Sequence, residues 1–173
     1  MTLDIGCGTR KMEPDAIGID ASPAPGVDIV WNLDDFPWPL DDNRFDRVYM
    51  SHIIEHLRDI PRAMAEVHRV ARPGAQVFIV TPHFSSHNSY ADPTHKAHLA
   101  AASFDHLTGR DFATFLGPAA RFDIVERELT FGGNFVLDNL GRLLARRSLA
   151  WYERHAAWWF PALDIRVQMR VVK

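Results

Sequence analysis

The chain has little cysteine, no long apolar run and no strong excess of charge of one sign. A single cysteine among 173 residues excludes an intramolecular disulfide framework and any zinc site built from several thiolates. No apolar stretch approaches the roughly 20 residues that a membrane-spanning helix requires. The first residues place no basic segment before an apolar one, as a secretory signal would. These absences predict a cytoplasmic protein without a transmembrane segment.

The net charge of −3 is unevenly distributed along the chain. Residues 1–60 carry 12 acidic and 5 basic side chains, whereas residues 121–173 carry 6 acidic and 9 basic ones. An acidic first third repels phosphate backbones, which disfavours nucleic acid as a partner. Hydrophobic residues make up 47% of the sequence, which is ordinary for a globular protein. We therefore expect one domain over residues 1–173.

Short apolar runs separated by Gly, Pro and Asp dominate the first eighty residues. They predict strands at 2–5, 16–20, 27–31, 45–50 and 76–80. Such runs are typical of strands that are buried on both faces of a parallel sheet. Before the last of them, apolar residues at helical spacing follow Asp59 and Pro61, which predicts a helix ending at Pro73 and Gly74.

The second half of the chain continues the pattern less regularly. Residues 122–131 and 165–172 predict two more strands, and residues 104–116 and 137–159 predict helices. No linker or repeat separates these elements, so the sequence predicts a single α/β domain.

A Gly-Cys-Gly turn follows the first predicted strand. Glycines at such a turn let the backbone approach a ligand closely. Lys11 stands where a dinucleotide fingerprint has its third glycine, which disfavours an NAD-dependent oxidoreductase. Asp20 ends the next strand, beside this turn, where parallel strands open a crevice. Its carboxylate can bind the two hydroxyls of a ribose or cap its own turn.

Taken in order, several segments of the chain resemble class I S-adenosylmethionine-dependent methyltransferases. The segments are Leu3-Asp-Ile-Gly-Cys-Gly8, Asp20 at a strand end, Phe45-Asp-Arg-Val48, His56-Leu57 and Arg69-Val-Ala-Arg-Pro-Gly74. Further similarity at 81–83 and 92–96 resembles a compact branch close to methyltransferase domain 11. The resemblance implies a mostly parallel, doubly wound, seven-stranded sheet of order 3-2-1-4-5-7-6 with strand 7 antiparallel. Its early helices should be missing, because the connections are too short.

The resemblance also implies S-adenosylmethionine as cofactor and assigns residues to it. The glycine-rich turn around the methionine part of the cofactor corresponds to Asp4, Gly6, Cys7 and Gly8. The acid that binds the ribose and the residue beside it correspond to Asp20 and Ala21. The adenine edge corresponds to Asn32 and Leu33, and the segment under the sulfonium corresponds to Ser51 and His52. Asn32 stands where the family more commonly has Asp. Cys7 is then a small side chain in the cofactor turn and need not be a nucleophile.

Histidines cluster after the fifth predicted strand, where loops of open α/β sheets form active sites. Histidine can take a proton from an oxygen or nitrogen nucleophile near neutral pH. We expect His83 and His95 to be catalytic, with Asp92 as orienting partner. A polar loop held by its own hydrogen bonds and a metal site are the alternatives, and no metal is assigned. His56 and His68 are expected to be structural.

An Arg- and Trp-rich stretch lies near the C-terminus. It contains Arg142, Arg146, Arg147, Trp151, Arg154, Trp158 and Trp159. Such a stretch suits a core helix, a homodimer contact or a cover over the substrate. With the histidine segment, it gives two expected substrate-side regions, residues 83–120 and 133–162.

Together these features predict a methyltransferase that uses S-adenosylmethionine to methylate oxygen or nitrogen of a small-molecule or sugar-like acceptor. A module that binds the cofactor without catalysis is the main alternative. A nucleic-acid methyltransferase and an NAD-dependent oxidoreductase are less favoured.

Overall fold

The computed structural model describes residues 1–108 and 121–173, which form one seven-stranded sheet. The strands are β1 (Thr2–Ile5), β2 (Ile17–Asp20), β3 (Ile29–Val30), β4 (Phe45–Ser51), β5 (Ala71–Pro82), β6 (Arg121–Leu129) and β7 (Asp164–Val172). Their order is β3-β2-β1-β4-β5-β7-β6. Strands β1 to β5 pair in parallel, while β7 runs antiparallel to both β5 and β6. The predicted topology is confirmed.

Four α-helices accompany the sheet in the described part of the chain. They are α1 (Ile60–Val70), α2 (His87–Ala91), α3 (Phe135–Arg147) and α4 (Leu149–His155). There are also two 3₁₀ helices. Ile54–His56 follows β4, and Ala101–Thr108 ends where the undescribed residues begin. None of the helices among the described residues is both long and apolar enough to cross a membrane.

The main core lies on one face of the sheet. Apolar side chains of β4, β5 and β7, such as Val48, Ile79 and Met169, are fully or almost fully buried there with Met64 and Val67 of α1. Helix α1 begins as predicted, because the Asp59 carboxylate accepts a hydrogen bond from the Arg62 amide at 3.0 Å. Burial of this apolar face is the main force that fixes α1 on the sheet.

The opposite face of the sheet is only partly covered by the described residues. The connections between β1, β2 and β3 contain no helix, although every residue from 6 to 28 is described. Tyr49 and Phe78 stack on this face with ring centroids 5.0 Å apart, and Arg166 lies exposed nearby. These side chains border a hollow of about 580 Å³. The expected loss of the early helices therefore leaves a sheet face open.

Several predicted boundaries shift in the structure. The helix ends at Val70 rather than at Gly74, because the chain enters β5 directly at Ala71 and its early part pairs with β4. The predicted helix 137–159 is two helices, since Ser148 is extended and caps α4 through its hydroxyl. The predicted helix 104–116 is a 3₁₀ helix up to Thr108, and residues 109–116 lie outside the described part.

Candidate active site

The two glycines of the turn after β1 have different surroundings. Both have positive φ, 70° at Gly6 and 52° at Gly8, which favours glycine over residues with a Cβ. A Cβ on Gly6 would lie 2.6 Å from Cγ1 of Ile53, whereas a Cβ on Gly8 would have no atom within 4 Å. Gly6 is therefore required for packing within the protein, and Gly8 borders open space where a ligand can approach.

Asp20 connects the carboxyl end of β2 to this turn. Its Oδ2 accepts a hydrogen bond from the Gly8 amide at 3.0 Å, and its Oδ1 accepts one from the Ser22 amide at 3.2 Å. Asp20 thus orients the glycine turn and also caps its own loop. A carboxylate has about four lone-pair directions, so both oxygens can still accept hydrogen bonds from a ligand.

Asp4 and Cys7 lie beneath the turn rather than at its surface. The buried Asp4 carboxylate accepts a hydrogen bond from the Met12 amide at 2.6 Å, and burial raises its pKa. The Cys7 thiol donates to the Gly26 carbonyl at 3.3 Å. Burial, together with Asp4 and Asp20, raises the pKa of Cys7 to about 11. A protonated, buried thiol is a weak nucleophile, which fits the prediction that Cys7 is only a small side chain here.

The remaining residues assigned to the cofactor lie at the same edge of the sheet. Ala21 and Asn32 are exposed just after β2 and β3, whereas Leu33 is buried in the core. Ser51 ends β4. The next residue, His52, has a positive φ of 52°, and its amide donates to the Val80 carbonyl at 2.8 Å. The structure thus brings the ends of β1, β2, β3 and β4 together, as the parallel topology requires.

The histidine segment forms one wall of a second hollow, of about 570 Å³, next to this edge. Its lining consists of His52, Glu55, His56, Pro82, Asn88, Ala91, Asp92, Pro93 and His95, and we call it the acceptor groove. His52 also lines the hollow on the open sheet face. Both hollows therefore meet at the carboxyl end of β4.

His95 and Asp92 are placed together in the acceptor groove. Nε2 of His95 lies 4.0 Å from Oδ2 of Asp92, and its Nδ1 lies 3.0 Å from the Ser89 carbonyl oxygen. Because a carbonyl only accepts, Nδ1 carries a proton, and in the neutral ring Nε2 then presents the lone pair. The Thr94 amide and hydroxyl both donate to Asp92, and these hydrogen bonds lower the pKa of its carboxyl.

His83 lies away from the groove lining, inside the protein. Its side chain has no exposed surface and contacts the Ser85 hydroxyl at 2.7 Å and Oε1 of Glu153 at 3.2 Å. The Glu153 carboxylate also accepts a hydrogen bond from the Ala101 amide at 2.6 Å. Burial raises the pKa of Glu153, but these hydrogen bonds outweigh it and the net shift is downward. His83 therefore joins β5 to α4 and cannot touch a substrate in this conformation.

Glu55 is the functional candidate that the sequence analysis missed. Its buried carboxylate accepts a hydrogen bond from the Thr81 hydroxyl at 2.9 Å, and His52 Nδ1 lies 3.4 Å from Oε1. Burial raises the pKa of Glu55, yet His52 and Thr81 outweigh it, so the net pKa is lowered. In turn, Glu55 raises the pKa of His52. The signal was the spacing His52-Ile-Ile-Glu-His56, which places three polar groups in one short turn.

The Arg- and Trp-rich stretch forms α3, α4 and the residues after them. Trp158 and Trp159 are 66% and 78% exposed, so these two tryptophans do not belong to a core. Tyr152 is instead the buried anchor of α4, and its hydroxyl donates to the Phe160 carbonyl at 2.6 Å. Whether this stretch covers a substrate or pairs with a second chain stays a prediction.

The chain matches a family model described as methyltransferase domain over residues 2–169. A 2-phytyl-1,4-naphtoquinone methyltransferase from Nostoc punctiforme is 40% identical over 60 residues, which cover 34% of this chain and 26% of that protein. An ajmaline N-methyltransferase from Rauvolfia serpentina is 32% identical over 103 residues, which cover 46% of this chain and 35% of that protein. The chain thus matches well under half the length of these curated relatives.

Among solved structures, a SAM-dependent methyltransferase from Archaeoglobus fulgidus has a similar fold. The two structures superpose with a TM-score of 0.65 at 18% sequence identity. The match covers 98% of this chain and 85% of that one. The similarity therefore extends over the whole sheet, including the C-terminal antiparallel strands.

Proposed function

This chain belongs to the methyltransferase-domain family, and from that premise we propose that it transfers a methyl group from S-adenosylmethionine to a small-molecule acceptor. The observation that carries the proposal is the pairing of Gly8 and Asp20 at the carboxyl edge of the sheet. A glycine that borders open space, with a carboxylate directly beside it, provides both room and a specific acceptor for ribose hydroxyls.

The residues at this edge fit the cofactor. Gly8 leaves space that a Cβ would occupy, and Asp20 retains lone pairs on both carboxylate oxygens. Asp4 supports the turn from below through the Met12 amide, and Cys7 supports it through the Gly26 carbonyl. We assign Ala21 and Asn32 to the adenine side, where the buried Leu33 anchors the turn after β3 in the core, and Ser51 and His52 to the methionine side. When bound, the cofactor supplies a methyl group on a positively charged sulfur, which needs no further activation.

The protein's own contribution is to align the acceptor and to take up its proton. We assign the acceptor to the acceptor groove, whose volume of about 570 Å³ suits a small molecule. Nε2 of His95 presents a lone pair there and can accept a proton from a hydroxyl or amine. The Ser89 carbonyl orients the ring, and Asp92, 4.0 Å from Nε2, would stabilise the positive charge that forms when this nitrogen takes up the proton. The buried His83 instead positions β5 against α4. The polar lining favours a hydroxylated, sugar-like acceptor.

The names of the curated relatives support a small acceptor. One relative is named for a naphthoquinone and another for the alkaloid ajmaline, and both names denote small organic molecules. That this chain acts on a small molecule, and methylates an oxygen or nitrogen atom of it, is part of the proposal. The same holds for a cytoplasmic location and for the expectation that nucleic acid is not a substrate.

Calorimetric titration with S-adenosylmethionine tests the cofactor site. We expect Asp20→Ala to weaken binding by about 10- to 100-fold, because it removes a charged hydrogen-bond acceptor worth about 1.5–3 kcal/mol. Asp15→Ala, at an exposed acid in the connection before β2, is the matched control and should bind like the parent protein. Equal affinity for Asp20→Ala and the parent would reduce Asp20 to a turn cap.

A methyl-transfer assay separates an enzyme from a binding module. The parent protein is incubated with cofactor labelled in the methyl group and a panel of hydroxylated and amine-bearing small molecules. Label in an acceptor supports the enzyme, and its loss in His95→Asn supports the acceptor groove. Tight cofactor binding with no label transferred across the panel would favour the non-catalytic module. Titration with NAD tests the oxidoreductase alternative, and titration with RNA at two salt concentrations tests the nucleic-acid methyltransferase alternative.

A further inference from the structure

One oxygen of the Glu55 carboxylate is buried without a hydrogen-bond partner. The Glu55 side chain is 2% exposed, and among the described residues Oε1 receives no hydrogen bond. The other oxygen is satisfied by the Thr81 hydroxyl at 2.9 Å. In the described part of the chain, the nearest basic group to Oε1 is His52, whose Nδ1 lies 3.4 Å away. An ionised oxygen that is removed from water and receives no hydrogen bond is costly, so such an atom indicates room for a closer positive partner.

Two imidazoles beside Glu55 are held in orientations that suit metal binding. His95 donates through Nδ1 to the Ser89 carbonyl at 3.0 Å, which leaves the lone pair on Nε2. His56 Nδ1 lies 3.0 Å from the Thr94 hydroxyl, which already donates its own proton to Asp92 at 2.7 Å. His56 must therefore donate to Thr94. Metal-binding histidines are oriented by the same kind of outer hydrogen bond.

The three side chains are close enough to share one ion. Glu55, His56 and His95 each offer one ligand atom, and these three atoms lie within 4.8 Å of one another. The distance between His95 Nε2 and Glu55 Oε1 is 3.9 Å. Two ligands bound tetrahedrally to zinc lie about 3.4 Å apart, given bonds of about 2.1 Å. A bound ion would therefore draw the side chains together by roughly 1 Å, which side-chain rotation can supply.

We propose that Glu55, His56 and His95 bind a divalent transition-metal ion. Two imidazoles and one carboxylate are a ligand set used by zinc and by non-haem iron. The ion would bind Glu55 Oε1 directly, whereas the His52 and His95 rings lie 3.4 and 3.9 Å from that oxygen. Asp92 stands at the rim of the same group, 4.0 Å from His95 Nε2, and adds negative charge that favours a cation.

Three protein ligands leave a coordination position open toward the acceptor groove. Catalytic metal sites have this arrangement, whereas structural zinc sites are usually closed by four protein ligands. The open position suits an acceptor oxygen or a water molecule. This role of the ion rests on the proposed function. The ion would then activate the acceptor, which metal-free His95 otherwise does by taking up its proton. Binding of the ion itself rests only on the geometry of the three side chains.

Titration with Co²⁺ tests the site through its visible absorption, with no need for a substrate. We expect one Co²⁺ ion to bind per chain, with the absorption spectrum typical of an ion that has four or five ligands. Glu55→Gln and His95→Asn should each lower the affinity at least about 10-fold, because each removes a direct ligand. Thr94→Val keeps all three ligands but releases His56, and it should lower the affinity by about 10- to 100-fold. Zn²⁺ should raise the melting temperature of the parent protein but not that of Glu55→Gln.

His87→Asn is the matched control, since His87 is exposed on α2 and lies outside the group. It should bind Co²⁺ like the parent protein, and circular dichroism should show every variant folded. Absence of a one-to-one complex, or equal affinity for Glu55→Gln and His87→Asn, would overturn the metal site. A cofactor titration on the same metal-free sample keeps the two proposals apart. Cofactor binding without Co²⁺ binding removes only the metal site, and the reverse result removes only the proposed function.

Discussion

At the scale of single residues, the turn after β1 shows two glycines with separate physical reasons. The direction in which Gly6 would carry a Cβ is filled by the side chain of Ile53. The corresponding direction at Gly8 is open, and its amide is held by Asp20. The sequence motif names both glycines alike, but only Gly8 borders space for a ligand.

This difference predicts unequal effects of alanine at the two positions. Gly6→Ala should destabilise the fold by about 2–5 kcal/mol, because positive φ costs about 1–2 kcal/mol and the clash with Ile53 about 1–3 kcal/mol more. Gly8→Ala carries only the conformational cost of about 1–2 kcal/mol. Chemical denaturation of both variants measures the difference in the free energy of unfolding.

The double variant Gly6→Ala with Ile53→Ala isolates the contact. Removing most of the Ile53 side chain relieves the clash, so the two changes together should cost less than the sum of their separate effects. Additive costs would show that the Ile53 contact does not constrain Gly6.

At the scale of secondary-structure elements, the helices are fixed to the sheet by buried polar contacts as well as apolar packing. On α1, His68 is 7% exposed, contacts the Val172 carbonyl of β7 at 2.9 Å and packs edge-on against Phe122 of β6. On α4, Glu153 accepts a hydrogen bond from the Ala101 amide and faces His83, the residue that follows β5. The expectation that His68 is structural agrees with its position, whereas His56 lies in the acceptor groove.

His68 predicts a loss of stability in mild acid. Burial lowers its pKa below the usual 6.5, and nearby Lys173 acts in the same direction, while the Val172 carbonyl opposes them. Below about pH 6.5 the unfolded chain binds a proton that the folded chain resists, so stability falls as the pH drops. A single group can contribute at most about 1.4 kcal/mol per pH unit.

Urea denaturation at several pH values between about 7 and 5 measures this effect. His68→Gln keeps a donor toward Val172 but cannot titrate, so its stability should depend less on pH than that of the parent protein. His87→Gln, at an exposed histidine, should follow the parent curve. Identical pH dependence for His68→Gln and the parent protein would assign the acid sensitivity to other groups.

At the scale of the whole molecule, apolar side chains are concentrated on the outside of α3. Phe135, Val136 and Leu143 are 84%, 70% and 64% exposed, and Trp158 and Trp159 lie exposed beyond α4. Several large apolar side chains exposed near one another commonly mark an interaction site. This surface agrees with the expected homodimer through the Arg- and Trp-rich stretch, which stays a prediction.

Sedimentation analysis over a range of concentrations tests the dimer. We expect the parent protein to associate reversibly, and Leu143→Glu to shift it toward monomer, because a charge in an apolar interface is costly. Val30→Glu makes the same kind of change at an exposed apolar residue of β3, at the sheet edge opposite β6, and should associate like the parent. Monomer at every concentration for the parent protein would contradict the prediction.

Much of the fold follows from local pattern. All seven predicted strands form, since short apolar runs bounded by Gly, Pro and Asp leave few alternatives. The boundaries were less predictable, because pairing partners decide them. β5 begins at Ala71 and passes through Gly74, a residue that the pattern assigned to the end of a helix. Ser148 divides the long predicted helix for a similar reason, since its hydroxyl caps the helix that follows.

The sequence by itself determined the strands, the glycine turn and the acid beside it, whereas the order of the strands came from the resemblance to class I methyltransferases. These depend on local chemistry and on a topology in which parallel strands end at one edge. Only the tertiary structure decided which histidines line the acceptor groove. His83 and His95 look equivalent in sequence, yet His83 is enclosed by α4, whereas His95 turns toward Glu55. Burial and long-range contacts separate them, because each depends on residues distant along the chain.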